Sequence, residues 1–338
     1  MTTMKQKKNS KIRHLEYYDL QNTLDTLYAD SGRGKIFNNL MPLIESEENI
    51  RLAYRNIKRN FGSNTSGVDR LKIKDIEKIP ETKFVEVVRK KLQWYKPKAV
   101  RRVEIPKPNG KLRPLGIPAI WDRIVQQCIL QILEPICEAK FSDRSNGFRP
   151  NRSAEHAIAQ AYALMQKSNL HFVVDIDIKG FFDNVNHSKL IKQMWNMGIQ
   201  DKKLLCVIKE MLKAPIILPN GETIYPQKGT PQGGILSPLL SNIVLNELDW
   251  WIVSQWEKQP AHNVRDHITK TGAIHRGRAY DAFRKSGLKE IKKVRRSESI
   301  WLSERSLWGR SDFRIQHLRK MQGQKSLRIF CFLRSVTV

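Results

Sequence analysis

Two short segments about fifty residues apart constrain this chain more than any other part of it. The first, HFVVDIDIKGFFDNVNH from His171 to His187, begins as a predicted β-strand, because residues alternate in a period of two up to Ile178. This period places Asp175 and Asp177 on one face of the strand. An acid beside apolar neighbours costs desolvation energy unless a cation or hydrogen-bond donors compensate it. Asp177 therefore suits a hard divalent ion, and a strand end with solvated acids is the alternative.

The second segment, KGTPQGGILSPLLSNIVLNELD from Lys228 to Asp249, places a Gly-rich loop before a helix predicted to begin near Ser237. Glycines permit backbone conformations that bring the chain close to a ligand, and a helix start favours anionic groups. Gln232 adds an amide that both donates and accepts hydrogen bonds. A Pro-Gln-Gly-Gly loop alone is ordinary, but behind a strand ending in DIKGFFD it forms a specific pair.

With these two motifs the chain resembles the group II intron reverse transcriptase/maturases. The other matching blocks, in the family's order, are GSNTSGVDRLKI (Gly62 to Ile73), IPKPNGKLRPLGIPAIWDRIVQQ (Ile105 to Gln127), FSDRSNGFRPNRSAEHA (Phe141 to Ala157) and KSGLKEIKKVR (Lys285 to Arg295). The resemblance implies an α+β fold with the fingers and part of the palm of a right-hand polymerase, in which helices pack on a mixed or antiparallel sheet and the thumb is absent.

The resemblance also implies roles for individual residues. Asp177 looks like the first catalytic carboxylate and a ligand of Mg2+, together with the backbone carbonyl of Ile178. Phe182 looks like the steric gate that excludes a ribose 2′-hydroxyl. Gln232 and Gly233 look like the loop that packs against the incoming nucleotide and the template.

Cationic side chains on the predicted fingers resemble the family's triphosphate contacts. Arg113 is the first, with Lys107 or Lys111 beside it. Phosphoryl transfer needs positioned cations around the phosphates, and Arg offers a planar fork that Lys lacks. For Lys107 and Lys111 a solvated basic hairpin is the alternative.

Composition indicates a polyanionic partner independently of the family. The net charge is +27 over 338 residues, and ten Lys or Arg lie between Arg89 and Arg113 against the single acid Glu104. Aromatic rings interleaved with cations suit phosphate contact and base stacking, although a merely solvated basic face is the alternative. The predicted nucleic-acid contacts are Arg89, Lys90, Lys91, Trp94, Tyr95, Lys96, Arg101 and Arg102. The resemblance implies intron RNA as template, a DNA primer and deoxynucleoside triphosphates as partners.

The sequence contains only part of the expected polymerase site. Two magnesium ions need several carboxylates, which the family supplies from a Tyr-Ala-Asp-Asp turn after a segment like LKEIKKVR. This chain has no adjacent Asp pair, and after Asp281 its only Asp is Asp312. The resemblance ends near Arg295, which favours a frameshift or rearrangement there. The alternative is that Asp312 or Glu304 replaces the pair.

We therefore expect a truncated reverse transcriptase/maturase that is inactive alone. One alternative is a non-catalytic RNA-binding remnant. Another is a product that never folds stably, because a palm cut before its central hairpin leaves an unpaired edge. The expected segments are a basic region with helices (1–95), fingers (96–170), partial palm (171–250), a polar insertion (251–295) and an unrelated basic tail without clear periodicity (296–338).

Further patterns exclude some classes of protein. Four cysteines without CxxC spacing argue for a reducing compartment and against structural zinc. His262, His267 and His275 lie in a polar stretch, where solvated histidines fit better than a zinc cluster. No apolar run is long enough to span a membrane and no signal peptide precedes the basic arm, so a cytoplasmic protein is expected.

Local patterns also predict secondary structure. Helices are expected over Asn49–Lys58, Glu81–Trp94, Ile120–Pro135 and Ser153–Lys167, and around Leu204–Leu212. Turns at Pro108-Asn109-Gly110 and Pro219-Asn220-Gly221 predict two hairpins.

Overall fold

The chain divides into two units, each built from two separate stretches of sequence. One unit is Met1–Phe141 with Phe182–Val244, and the other is Ser142–Phe181 with Leu245–Val338. The computed structural model describes residues 18–106, 110, 112–167, 172–178, 180–231 and 233–254, and beyond them the backbone of five short strands between residues 267 and 333.

Helices dominate the described part of the chain. In order they are α1 (Gln21–Gly32), α2 (Met41–Ile44), α3 (Glu47–Arg59), α4 (Ile73–Ile76), α5 (Glu81–Gln93), α6 (Ile120–Glu138), α7 (Ala154–Lys167), α8 (Phe181–Asn184), α9 (His187–Asn196), α10 (Lys202–Leu212) and α11 (Ser237–Ile252), with a 3-10 turn at Phe61–Asn64. The five helices predicted from sequence patterns are confirmed as α3, α5, α6, α7 and α10. The predicted helix start at Ser237 is confirmed as the start of α11.

The first unit is organised around α6. Helices α1, α2, α3 and α5 pack against it, and its side chains Ile124, Ile129 and Ile132 are fully buried. The helix continues past Pro135, where the predicted end lay, to Glu138. A proline inside a helix removes one N–H donor and crowds the carbonyl four residues earlier, which costs about 3 kcal/mol. Packing stabilises the last turn, because Ile136 and Cys137 are also fully buried.

The start of the described chain is joined to helices α9 and α10. Phe37 N donates to Gly198 O at 2.8 Å, and Gln200 N donates to Phe37 O at 2.9 Å. Buried Asp201 accepts from Leu40 N at 2.7 Å and also caps α10 by accepting from Leu204 N at 3.1 Å. Since one carboxylate satisfies backbone donors of both segments, it fixes them to each other.

The first unit also contains a four-stranded mixed sheet. Its strands are β1 (Val100–Pro106), β2 (Leu112–Ile117), β4 (Ile216–Ile217) and β5 (Thr223–Ile224), in the order β2-β1-β4-β5. Both predicted hairpins are confirmed by antiparallel pairing of β1 with β2 and of β4 with β5. The β1–β4 pair is parallel, so the sheet is mixed as expected. Gly110 is the only residue of the predicted 108–110 turn within the described part of the chain.

The second unit contains α7 and the Asp-bearing strand β3 (Phe172–Asp177). Ser153 caps α7 as predicted, since its Oγ accepts from His156 N at 3.4 Å. The later strands are β6 (His267–Ile268), β7 (Ile274–His275), β8 (Ile300–Leu302), β9 (Phe313–Lys320) and β10 (Ile329–Leu333). β6 and β7 form a hairpin in which His267 lies opposite His275, while His262 lies outside the described residues.

The described part of the segment 296–338 contains three β-strands, although the sequence of this segment shows no clear strand periodicity. Its strands join β3 in a sheet of order β10-β3-β9-β8, in which β10 is parallel and β9 antiparallel to β3. The expectation of an unpaired sheet edge is therefore wrong for β3, because β3 has a hydrogen-bonded strand on each side. Val174 lies opposite Leu318 and Ile176 opposite Ile315, so β9 carries one extra residue there. Such a bulge shifts the alternation from Ile315 to Leu318, which explains why a strict period of two misses this strand.

The cysteines and the apolar character of the helices bear on the expected class of protein. Cys128 and Cys137 are buried and Cys206 is exposed, and all three are free thiols. Within the described residues, no helix combines the length and the apolar character that crossing a bilayer requires.

Candidate functional site

The Gly-rich loop before α11 rests on the turn between α8 and α9. Gly229 N donates to Val185 O at 2.7 Å, and Thr230 N donates to Phe182 O at the same distance. Lys228 Nζ donates to Asn184 Oδ1 at 2.8 Å. These bonds join residues that are more than forty positions apart, since Asn184 and Lys228 are separated by 44. The backbone of Phe182 is therefore attached directly to the loop.

A buried histidine adds a further bond from the same turn. His187, the first residue of α9, is 8% exposed, and its Nε2 lies 2.7 Å from Gly229 O. A carbonyl oxygen only accepts, so Nε2 is the atom that carries a hydrogen and donates it. Sequence reasoning assigned no role to this residue. A His directly after the helix cap Asn186 was the available signal, because a side chain in the first turn can reach a neighbouring loop.

Two glycines allow the loop to approach its neighbours. Gly229 has φ +93°, and a Cβ there would lie 3.0 Å from the carbonyl oxygens of Phe182 and Asp183. Gly233 has φ +102°, and a Cβ would lie 2.3 Å from Gly116 O. Both positions therefore require glycine for conformation and for space. The second contact places the loop against β2, the strand that carries half-buried Arg113.

Helix α6 supports the other end of the loop. Gln126, 7% exposed, accepts from Ile235 N through Oε1 at 2.8 Å. Ser237 Oγ donates to Pro231 O at 2.8 Å, which closes the loop at the start of α11. Gln126 is a second residue that sequence reasoning missed. Its signal was a polar residue inside the apolar helix pattern, because a buried amide requires hydrogen-bond partners.

The predicted site residues fall into three groups. Phe182, Gly233 and the strand of Arg113 come together in the first unit, as described above. Asp177 is the last residue of β3 in the second unit, and half-buried Ile178 follows it. The remaining three lie outside the described residues, and they are Lys107, Lys111 and Gln232.

Several predicted nucleic-acid contacts also make contacts within the protein. Arg89 Nε donates to Glu45 O at 2.9 Å, and Lys90 Nζ lies 2.7 Å from Glu86 Oε1. The hydrogen bond from Lys90 lowers the pKa of the exposed Glu86 carboxyl.

Two further cations in this set have protein partners as well. The Lys91 ammonium lies 5.6 Å from the centre of the Trp121 ring, and Arg101 Nη2 donates to Ser66 O at 2.7 Å. Lys96 is exposed and Arg102 is half-buried. The basic segment is thus partly structural.

The two aromatic residues predicted to stack on bases have opposite environments. Trp94 is 85% exposed, whereas Tyr95 is 9% exposed and donates from its hydroxyl to Asp122 Oδ1 at 2.9 Å. Lys98 N donates to Asp122 Oδ2 at 3.1 Å. Burial raises the pKa of both Tyr95 and Asp122. This placement corrects the expectation for Tyr95, because a ring enclosed by the core cannot stack on a base, and it leaves Trp94 as the exposed ring.

Arg123 connects the block Gly62–Ile73 to α6. Its guanidinium donates to Gly62 O and Thr65 O, both at 2.7 Å, and its Nε donates to Pro118 O at 2.9 Å. Burial lowers the pKa of Arg123. Three backbone carbonyls therefore bind one planar side chain, and this geometry is available to Arg and not to Lys.

The donor set described does not form a two-metal centre. Among the described residues, no group of three or more His, Cys, Asp or Glu side chains lies close enough to hold an ion. The backbone places Asp177 and the Ile178 carbonyl next to each other at the end of β3, which supplies one carboxylate and one carbonyl. Two divalent ions require more oxygen ligands than these.

Comparisons with known proteins agree with this architecture. Residues 105–266 match the family model described as reverse transcriptase (RNA-dependent DNA polymerase). Protein YkfC of Escherichia coli K12 is 36% identical over 266 residues, which is 77% of this chain and 68% of YkfC. The group II intron-encoded protein LtrA of Lactococcus lactis is 38% identical over 222 residues, 65% of this chain. The match spans 36% of LtrA, so this chain corresponds to about a third of that relative.

Two further similarities are more distant. The putative COX1/OXI3 intron 1 protein of Saccharomyces cerevisiae is 33% identical over 64% of this chain and 25% of its own length. A solved Cas6-RT-Cas1–Cas2 complex has a TM-score of 0.43 at 22% identity, covering 76% of this chain and 42% of that chain. The family model and the relatives place this chain among the reverse transcriptases. More narrowly, the chain belongs to the group II intron-encoded reverse transcriptase/maturase family.

Proposed function

We propose that this chain supplies the fingers and part of the palm of an RNA-directed DNA polymerase. Intron RNA, a DNA primer and deoxynucleoside triphosphates are its proposed partners, and Mg2+ is the proposed metal. The observation that carries the proposal is the junction in the first unit, where the Gly-rich loop bonds to the Phe182 turn and contacts Gly116 on the strand of Arg113. Three segments distant in sequence meet there, and each carries a residue that the family resemblance assigns to the nucleotide.

In this proposal the described residues bind and orient the nucleotide. Arg113 contacts the triphosphate, the Phe182 ring excludes a ribose 2′-hydroxyl, and the loop around Gly233 packs against the base pair. Asp177 and the Ile178 carbonyl would supply two oxygen ligands to a metal ion, which when bound would promote deprotonation of the primer hydroxyl. The bonded loop supports such a role because rigid positioning provides much of the catalysis in phosphoryl transfer.

Nucleotide binding tests the proposed contact between Arg113 and the triphosphate. Equilibrium titration of a deoxynucleoside triphosphate in Mg2+ should show weakening of about tenfold or more in Arg113→Ala, since charge-assisted hydrogen bonds are lost. Arg113→Lys is the matched control, because it keeps the charge and loses the planar fork, and it should give an intermediate affinity. Equal affinity of all three proteins would contradict the proposed contact.

We also propose that this chain does not extend a primer by itself. The reason is the lack of an adjacent Asp pair in the sequence, since a single carboxylate cannot hold two divalent ions. A primer-extension assay on an RNA template, run in Mg2+ and in Mn2+, should give no product. Product that disappears in Asp177→Ala would overturn this proposal. If Asp312→Ala or Glu304→Ala also abolished that product, the replacement carboxylate would be identified.

A second candidate function is RNA binding without chemistry, which the exposed Trp94 ring in a basic segment favours. Electrophoretic binding to structured RNA should weaken steeply with salt. Trp94→Ala should cost about tenfold in affinity without changing the salt slope, because stacking is not ionic. Tyr28→Ala, which removes a 53% exposed ring on α1, is the control and should bind normally. Salt-independent binding would exclude the phosphate contacts.

A further inference from the structure

The peptide group between Gly229 and Thr230 is bonded on both of its edges. Its carbonyl oxygen, Gly229 O, lies 2.7 Å from His187 Nε2. Its N–H, on Thr230, donates to Phe182 O at 2.7 Å. Because a peptide group is planar, rotating this one would break both bonds together.

The turn that supplies these partners is itself fixed. Asn186 Oδ1 accepts from Lys189 N at 2.9 Å and so caps α9. Gly229 N donates to Val185 O at 2.7 Å, which holds the residue before the peptide group. A Cβ on Gly229 would lie only 3.0 Å from Phe182 O. The loop therefore lies in contact with the turn and can move away from it only by breaking these bonds.

His187 is the side-chain component of this arrangement. Its ring is buried and reaches the loop from the first turn of α9. The backbone bonds at Gly229 and Thr230 do not depend on the identity of residue 187, whereas the bond to Gly229 O does. Removing the ring would leave that oxygen without its donor, and of the two bonds only the one from Thr230 N–H would still oppose rotation of the peptide group.

We propose that His187 is a positioning residue that fixes the separation between Phe182 and the Gly-rich loop, and through it the selectivity for a deoxyribose over a ribose. The selectivity rests on the proposed function, while the fixed separation does not. Phe182 is attached to the loop through its backbone oxygen, so a loosened loop changes the space between the gate ring and the nucleotide. The chemical group discriminated is the 2′-hydroxyl.

Amide hydrogen exchange tests the fixed separation without requiring activity. In His187→Ala, protection of the Thr230 amide should fall by about tenfold or more, since a buried bond on the same peptide group is lost. His187→Gln keeps an N–H donor and should restore most of the protection. Gln193→Ala is the matched control, because it removes a different buried bond from α9, Gln193 Nε2 to Val244 O at 3.2 Å. Unchanged exchange in His187→Ala, or an equal loss in Gln193→Ala, would overturn the proposal.

Triphosphate binding tests the selectivity. With primer and RNA template in Mg2+, the affinity ratio of deoxynucleotide to ribonucleotide should fall by about tenfold in His187→Ala and recover in His187→Gln. Phe182→Ala should show the same loss, and Gln193→Ala should keep the wild-type ratio. An unchanged ratio in His187→Ala would overturn the selectivity. Wild-type protein that bound neither triphosphate would overturn the proposed function, and the exchange result would still decide the role of His187 in the loop.

Discussion

The Gly-rich loop and strand β3 carry the two halves of the predicted polymerase motif, and they are built differently. The loop is held by residues of the motifs themselves, through the Phe182–His187 turn, Gly116 and Gln126. Strand β3 is paired on both sides by strands from residues 313–333, which lie beyond the family resemblance. The geometry of the loop is therefore determined by residues of the matched motifs, while the environment of β3 depends on strands beyond those motifs.

The largest effect should come from the closest approach in the loop. Gly233→Ala would place a Cβ 2.3 Å from Gly116 O at a φ of +102°, so both overlap and backbone strain arise. The expected loss of unfolding free energy is about 4 kcal/mol. Denaturant unfolding measures it, with Gly221→Ala as the matched control. Gly221 also has a positive φ, +87°, but no atom of the residues that the structure describes lies within 4 Å of its Cβ position.

That control separates strain from overlap. Gly221→Ala should cost only about 1 kcal/mol, from the left-handed conformation alone. Equal losses in the two variants would mean that the β2 strand moves aside without cost. The loop would then be less firmly held than its contacts indicate, and the contrast with β3 would be weakened.

The next largest effect concerns the helix that supports the loop. Burial, and then the nearby charge of Glu138, raise the pKa of Glu134 on α6 from 4.5 to about 7. The folded carboxyl keeps its proton to higher pH than the unfolded one does. Protonation of Glu134 therefore contributes its full share to the unfolding free energy below pH 4.5, and this contribution is lost as the pH rises through about 7.

Denaturant unfolding across this pH range should show a decrease of about 3 kcal/mol in unfolding free energy that is absent in Glu134→Gln. Glu104→Gln, which changes an exposed carboxyl on β1, should keep the wild-type profile. Hydrogen exchange should place the pH dependence in α6, the helix that carries Glu134. If amide exchange in β3 depended equally on pH, the claim that the loop and β3 are held by different sets of residues would be contradicted.

Sequence patterns predicted this fold well where each contact is local. Period rules were sufficient for α3, α5, α7 and α10, because an apolar stripe determines a helix directly, and in α3, α7 and α10 a capping side chain also marks the start. Tyr95 shows the limit of such rules. Its position among cations suggested that the ring stacks on a nucleic-acid base. Only the tertiary fold shows that the ring is buried and that its hydroxyl donates a hydrogen bond to Asp122.

Strand β9 shows a second limit. A bulge between Ile315 and Leu318 breaks the alternation that a strand search requires. His187 and Gln126 were missed for a third reason, because their partners are backbone atoms 42 and 109 residues away. A single sequence contains no signal for such distances, although it marks a buried polar residue as one that needs a partner.

A smaller, local effect should follow a change in β9. Ile315 is paired with Ile176 on one side and Ile300 on the other, so Ile315→Pro removes an N–H from the middle of the sheet. A loss of about 2 kcal/mol is expected, seen as faster amide exchange in Val173–Ile176. Ile315→Val keeps the N–H and is the control. Unchanged exchange in β3 would show that residues 313–320 do not pair with it.

The smallest effect should arise where α6 bonds to the loop. Gln126→Leu keeps the size of the side chain but removes the acceptor of Ile235 N, which is 2.8 Å away. An unpaired N–H in a half-buried position should cost about 1 kcal/mol of unfolding free energy. Amide exchange at Ile235 should rise, while exchange in β3 stays constant.

Gln127→Leu is the control for this last change, because Gln127 lies on the same helix and bonds to Gln131 Oε1 at 3.2 Å instead of to the loop. It should leave the Ile235 amide protected. If both variants exposed Ile235 equally, α6 would support the loop by packing alone. If neither did, the contacts with the Phe182–His187 turn and Gly116 would hold the loop without α6, and fewer residues of the motifs would determine its geometry.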